Sequence, residues 1–107
     1  MVRGRVPKMN SKIKDEATDK LFEAILTLEN IEECYAFFED ICTVNELKAL
    51  AQRLEVAKML EDKLTYQEIA QATHASTATI SRVNRCLSYG SDGYKLVLER
   101  VGGKAQK

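Results

Sequence analysis

With 107 residues, 45% of them hydrophobic and 30% charged, the chain has the size and make-up of one small globular domain. No run of ~18 apolar residues is present to cross a membrane, and no charged-then-apolar leader opens the chain, so a cytoplasmic protein without a membrane partner is expected. Three cysteines (Cys34, Cys42 and Cys86), a single histidine and no Cys-x-x-Cys spacing exclude a disulfide framework and a zinc site, and read as free thiols in a reducing compartment.

The formal net charge of zero hides an uneven distribution. Residues 1–14 carry Arg3, Arg5, Lys8, Lys12 and Lys14 and no acid. Residues 15–62 hold thirteen acids against four bases, and residues 63–107 hold seven bases against three acids. An acidic middle between basic ends is compatible with DNA contact at the ends and a different task in the middle. Residues 1–14, with Gly4 and Pro7 and no apolar periodicity, read as a flexible basic arm.

Residues 15–103 read as a single all-helical domain. A first helix is expected over about 15–29, where Leu21, Ile25 and Leu28 recur at helical spacing. Asn30 caps a second helix over about 31–42, with Ile31, Cys34, Tyr35, Phe38, Ile41 and Cys42 on one face and Glu32, Glu33, Glu39 and Asp40 on the other. Thr43 and Glu46 form a Thr-x-x-Glu capping box that opens a third helix reaching about Asp62. This third helix carries Val44, Leu47, Leu50, Leu54, Val56, Met59 and Leu60 on more than one stripe. A helix apolar on most sides needs cover on most sides, and a chain of this length offers little. The expectation is a homodimer whose core is built by residues 15–62 of both subunits; the alternative is a central helix buried within a monomer.

A second capping box, Thr65 with Glu68, starts a short helix ending near Thr73. His74 and Ala75 form a turn, and Ser76 caps a helix running to about Leu87 or Ser88, with Gly90 as its stop. Ser91 is expected to cap a last helix over about 91–101, ended by Gly102 and Gly103.

The stretch 65–88 has the features of a helix-turn-helix. Ala70 is small where two backbones must approach. Ile69, Ala75, Ile80 and Val83 point into the angle between the helices. The second helix then offers short side chains, Thr77, Ala78, Thr79 and Ser81, near its N-terminus. Short side chains let a helix sit deep in the major groove, where methyls meet thymine and hydroxyls bond base edges. Arg82 and Arg85 add charge, Ser76 places a helix N-terminus toward phosphate, and Tyr66 and Gln67 are placed to touch the DNA backbone.

At Ala78-Thr79-Ile80-Ser81-Arg82 the chain resembles the reading-helix segment of the Trp repressor family, and in particular the small Trp-repressor-like proteins of Gram-positive bacteria. The resemblance covers about residues 15–101, and Leu47 to Leu60 resembles the family's long central dimer helix. It implies an all-α, Trp-repressor-like six-helix domain in an intertwined homodimer, binding a near-palindromic double-stranded operator with reading heads ~34 Å apart. It also implies an effector pocket. Members that sense tryptophan hold the indole between two arginines, beside a glycine and a serine. Arg82 matches one arginine, the other falls at Gln52 with Arg53 adjacent, the glycine falls at Val83, and the serine falls at Cys86. A branched side chain at Val83 and a lost charge at Gln52 weigh against L-tryptophan; the ligand is then a different small-molecule corepressor, or none.

The sequence therefore points to a DNA-binding transcriptional regulator, a repressor. The alternative is a helix-turn-helix accessory module that docks on a larger protein such as RNA polymerase. An enzyme is not expected, because His74 has no cysteine or carboxylate at triad spacing and no phosphate-cradling glycine loop is present.

Overall fold

The computed structural model describes residues 12–105, and all regular structure among them is helical: α1 (Glu16–Ile25), α2 (Ile31–Ile41), α3 (Val44–Glu61), α4 (Tyr66–Thr73), α5 (Thr77–Tyr89) and α6 (Gly93–Ala105). This is the six-helix order expected from the sequence. The basic arm lies outside the described residues up to Ser11. The chain divides after Leu50 into two compact units.

The first unit comprises α1, α2 and the opening of α3. Each helix starts where a short polar side chain satisfies an orphan N–H. The Asp15 carboxylate accepts from the Thr18 N–H at 2.7 Å. That bond, reinforced by the Thr18 hydroxyl, holds the Asp15 carboxyl below its usual pKa. Asn30 Oδ1 accepts from the Glu33 N–H at 2.8 Å, while the Glu33 carboxylate reaches back to the Glu29 N–H at 2.9 Å. At α3 the expected box is formed in both directions: the Thr43 N–H donates to Glu46 at 2.8 Å, and the Glu46 N–H donates to Thr43 Oγ1 at 3.1 Å.

α1 is shorter than its apolar spacing suggests. It ends at Ile25 because the following amides tighten to carbonyls three residues back, Thr27 to Ala24 and Leu28 to Ile25, and the Thr27 hydroxyl takes the Ala24 carbonyl at 2.6 Å. No residue of α1 or α2 is fully buried. Leu26, Ile31 and Tyr35 are 83%, 70% and 68% exposed. Of the apolar face read on α2, Ile31, Cys34, Tyr35 and Ile41 are exposed, and Phe38 and Cys42 are half-buried.

The second unit, from Ala51, holds the core. Val56 and Ala57 of α3, Ile69 of α4, Ala75 of the turn, and Ile80, Val83 and Leu87 of α5 form one buried cluster. Met59, Leu60, Leu64, Ala70, Tyr94 and Leu98 pack around it. α4 packs on α5, and α5 on α6.

α3 ends in a six-to-one turn. The Lys63 N–H donates to the Leu60 carbonyl at 3.0 Å, and the Leu64 N–H to the Met59 carbonyl at 3.1 Å. That pairing puts Lys63 in the left-handed region, φ 69°, where glycine is the usual occupant.

Two expectations about α6 need correction. Its start follows Asp92, at φ 67°, rather than a Ser91 cap, and the Leu96 N–H bonds back to the Asp92 carbonyl at 3.0 Å. Nor do Gly102 and Gly103 stop it, since the helix runs to Ala105. Glycine terminates a helix by adopting a left-handed φ; left in helical conformation it only weakens the helix, by roughly 1 kcal/mol.

Candidate nucleic-acid interface

Thr65 and Glu68 form a reciprocal box that fixes the start of α4. The Thr65 N–H donates to the Glu68 carboxylate at 2.8 Å, and the Glu68 N–H to Thr65 Oγ1 at 3.1 Å. Between residues 63 and 89 Glu68 is the one acid, and it is spent on this cap. α4 ends at His74, whose φ of 63° turns the chain while its N–H bonds the Ala70 carbonyl at 2.9 Å.

The turn is held by Thr73, the one buried polar residue among those described. Its hydroxyl donates to the Ile69 carbonyl at 2.8 Å and accepts from the Ala75 N–H at 3.1 Å. Gln52 of α3, half-buried, donates Nε2 to the Thr73 carbonyl at 3.1 Å. Ser76 then caps α5: its Oγ accepts from the Thr79 N–H at 3.1 Å and lies 3.1 Å from Thr79 Oγ1.

On α5, Thr77 and Ala78 are exposed at the first turn, and Arg82 and Arg85 are exposed further along. Thr79 and Ser81 are half-buried, so Thr79 serves the cap as well as the surface. Ile80 and Val83, on the opposite side, are buried. Of the groups expected on α4, Tyr66 and Gln67 are both exposed. Asn84 Nδ2 donates to the Tyr66 hydroxyl at 3.2 Å. That hydroxyl therefore keeps its proton for an outside acceptor, and α4 and α5 are tied at the surface. Asn84 was not read from the sequence, as nothing local signals a bond across eighteen residues.

The first-turn N–H groups of α5 have no acceptor within the helix, so the exposed face combines donors, short hydroxyl and methyl groups, and two guanidinium groups. This surface is suited to phosphate and base edges.

The four residues expected at an effector pocket lie on α3 and α5. Val83 is 1% exposed and belongs to the core. Gln52 is engaged at Thr73. Arg82 is exposed. Cys86 lines an open groove of about 510 Å³ with Leu54, Tyr94 and Val97, a lining that includes none of the other three. Burial raises the Tyr94 hydroxyl pKa, the Cys86 thiol beside it adds to the effect, and Arg53 and Arg82 oppose it.

The family model described as Trp repressor protein matches residues 16–102. The chain belongs to the Trp repressor family. Among family relatives, the uncharacterized protein YerC of Bacillus subtilis (strain 168) is 57% identical over 90 residues, which is 84% of this chain and 86% of that protein. A crystal structure of a TrpR-like protein from Eubacterium eligens superposes with a TM-score of 0.84 at 59% identity, covering 87% of this chain and 96% of the other. The family is one of DNA-binding regulators, and no helix among the described residues is long and apolar enough to cross a membrane.

Proposed function

We propose that the protein is a sequence-specific, double-stranded DNA-binding transcriptional regulator, a repressor, that works as a homodimer in the cytoplasm. The observation that carries the reading is the α4–turn–α5 head. Its far side is locked into the core by Ile69, Ile80 and Val83, and its near side presents Thr77, Ala78, Arg82 and Arg85. Ser76, Thr79 and Ser81 set and border that face, and Tyr66 and Gln67 flank it for phosphate contact.

The homodimer is supported by the first unit. Leu26, Ile31, Tyr35, Ile41 and Val44 are all at least half exposed. Large apolar side chains gathered on short helices without cover mark an association surface. A two-fold pair of heads would meet successive major grooves of a near-palindromic operator, ~34 Å apart.

Selection of bound fragments from randomised duplex DNA by the purified protein, with and without L-tryptophan, tests the reading. Enrichment of a near-palindrome is expected, and Thr77→Glu should abolish it while the helical circular dichroism is unchanged. Binding should also fall steeply with salt as phosphate contacts release counterions. Failure to enrich any sequence, or binding insensitive to salt, would count against a DNA regulator and favour docking on a protein such as RNA polymerase.

A further inference from the structure

We propose that Gln52 is a positioning residue for the reading head, holding the turn between α4 and α5 from α3. The proposal rests on the DNA-binding reading of α4 and α5 and concerns how that head is held.

The Thr73 carbonyl, which accepts from Gln52, is the last of α4. It is one of the carbonyls for which a helix supplies no N–H. It also lies immediately before His74, whose left-handed backbone makes the turn into Ser76 and α5. A rotation at this point would displace Thr77 and Ala78, the exposed first turn of α5. The peptide groups on both sides of His74 are restrained, the Thr73 carbonyl by α3 through Gln52 and the Ala75 N–H by α4 through the Thr73 hydroxyl. At the other end of α4, Tyr66 is bonded to Asn84 of α5. The short helix is thus tethered at its start to α5 and at its end to α3.

Glutamine suits this half-buried place. It supplies an N–H donor with the reach to cross from α3, and it brings no charge that would need a partner. Val83 completes the device: it fills the interior beside Val56, Ala57 and Ile80 with protein atoms, at 1% exposure.

The test uses the full chain, free of added ligand, as wild type and as Gln52→Leu, which lacks the donor. Two readouts are taken: amide hydrogen exchange, and affinity for the selected operator against a scrambled duplex. In Gln52→Leu, operator affinity should fall about fivefold, the worth of one neutral hydrogen bond, with the scrambled duplex bound as before. Exchange at His74 and Ala75 should accelerate by a similar factor while Leu96 of α6 is unaffected. Equal operator affinity and equal exchange in Gln52→Leu and wild type would overturn the assignment. Should no operator be selected at all, the DNA reading fails, and exchange at His74 and Ala75 alone decides whether Gln52 restrains the turn. Should Gln52→Leu not fold, the wild-type Gln52 side-chain amide decides: slow exchange supports the tether, and exchange at the rate of a free side chain refutes it.

Discussion

Thr73→Val isolates the polar knot inside the turn. Valine matches threonine in shape, so the packing around residue 73 is retained. The Ile69 carbonyl loses the hydroxyl donor but keeps the N–H that the helix supplies four residues on. The Ala75 N–H, at a residue only 6% exposed, loses the acceptor it has at 3.1 Å. An orphaned buried amide costs about 1–3 kcal/mol, and the added methyl returns about 0.8 kcal/mol. The net loss should be about 0.2–2 kcal/mol, centred near 1 kcal/mol. Urea unfolding followed by circular dichroism would read the central value as a midpoint lowered by roughly 0.5 M for a slope typical of small proteins. Both proteins must be compared at one concentration, because the stability of an associating chain depends on it. A Thr73→Val protein as stable as wild type would show that the hydroxyl does not hold the turn.

Ile80→Ala removes a fully buried side chain at the centre of the cluster and should cost about 2–5 kcal/mol by urea unfolding, with a surface-like loss below 1 kcal/mol refuting the core assignment. In Gly90→Ala the new Cβ would stand 2.5 Å from the Cys86 carbonyl oxygen, a backbone atom that cannot step aside, so destabilisation of about 1–3 kcal/mol is expected; an unchanged thermal midpoint would mean the end of α5 relaxes freely. The Asp15 carboxyl, held low by Thr18, should titrate below 3.8 when followed by NMR. A lowered folded pKa means that the cap's contribution is present above the unfolded value and is lost as pH falls through the folded one; titration at or above 3.8 would show that the cap is not formed in solution.

What the sequence disclosed was local. Thr43 with Glu46, Thr65 with Glu68, and Ser76 announce helix starts because their side chains bond amides three residues away, within a single turn. The inward set Ile69, Ala75, Ile80 and Val83 follows from helical period alone, and all four are buried. The boundaries of α6 were harder. Asp92, just before its start, takes left-handed backbone without being glycine, so composition gives no warning, while Gly102, which does look like a stop, stays helical. The tie from Gln52 to Thr73 joins residues twenty-one apart and depends on how α3 lies beside the turn, which no periodicity encodes. The same holds for Asn84 and Tyr66.

The distribution of burial has a consequence for how the chain comes into being. α1 and α2 leave the ribosome first, yet neither owns a fully buried residue. Val56, Ile69, Ile80 and Val83, which close the core, all emerge later and lie within a short span of chain. Contacts so near in sequence form quickly. The half synthesised last is therefore the half equipped to settle first, and the half synthesised first waits with its apolar faces open. For the proposed homodimer, that order makes the meeting of two nascent or newly released chains a step of folding itself, not an event that follows it.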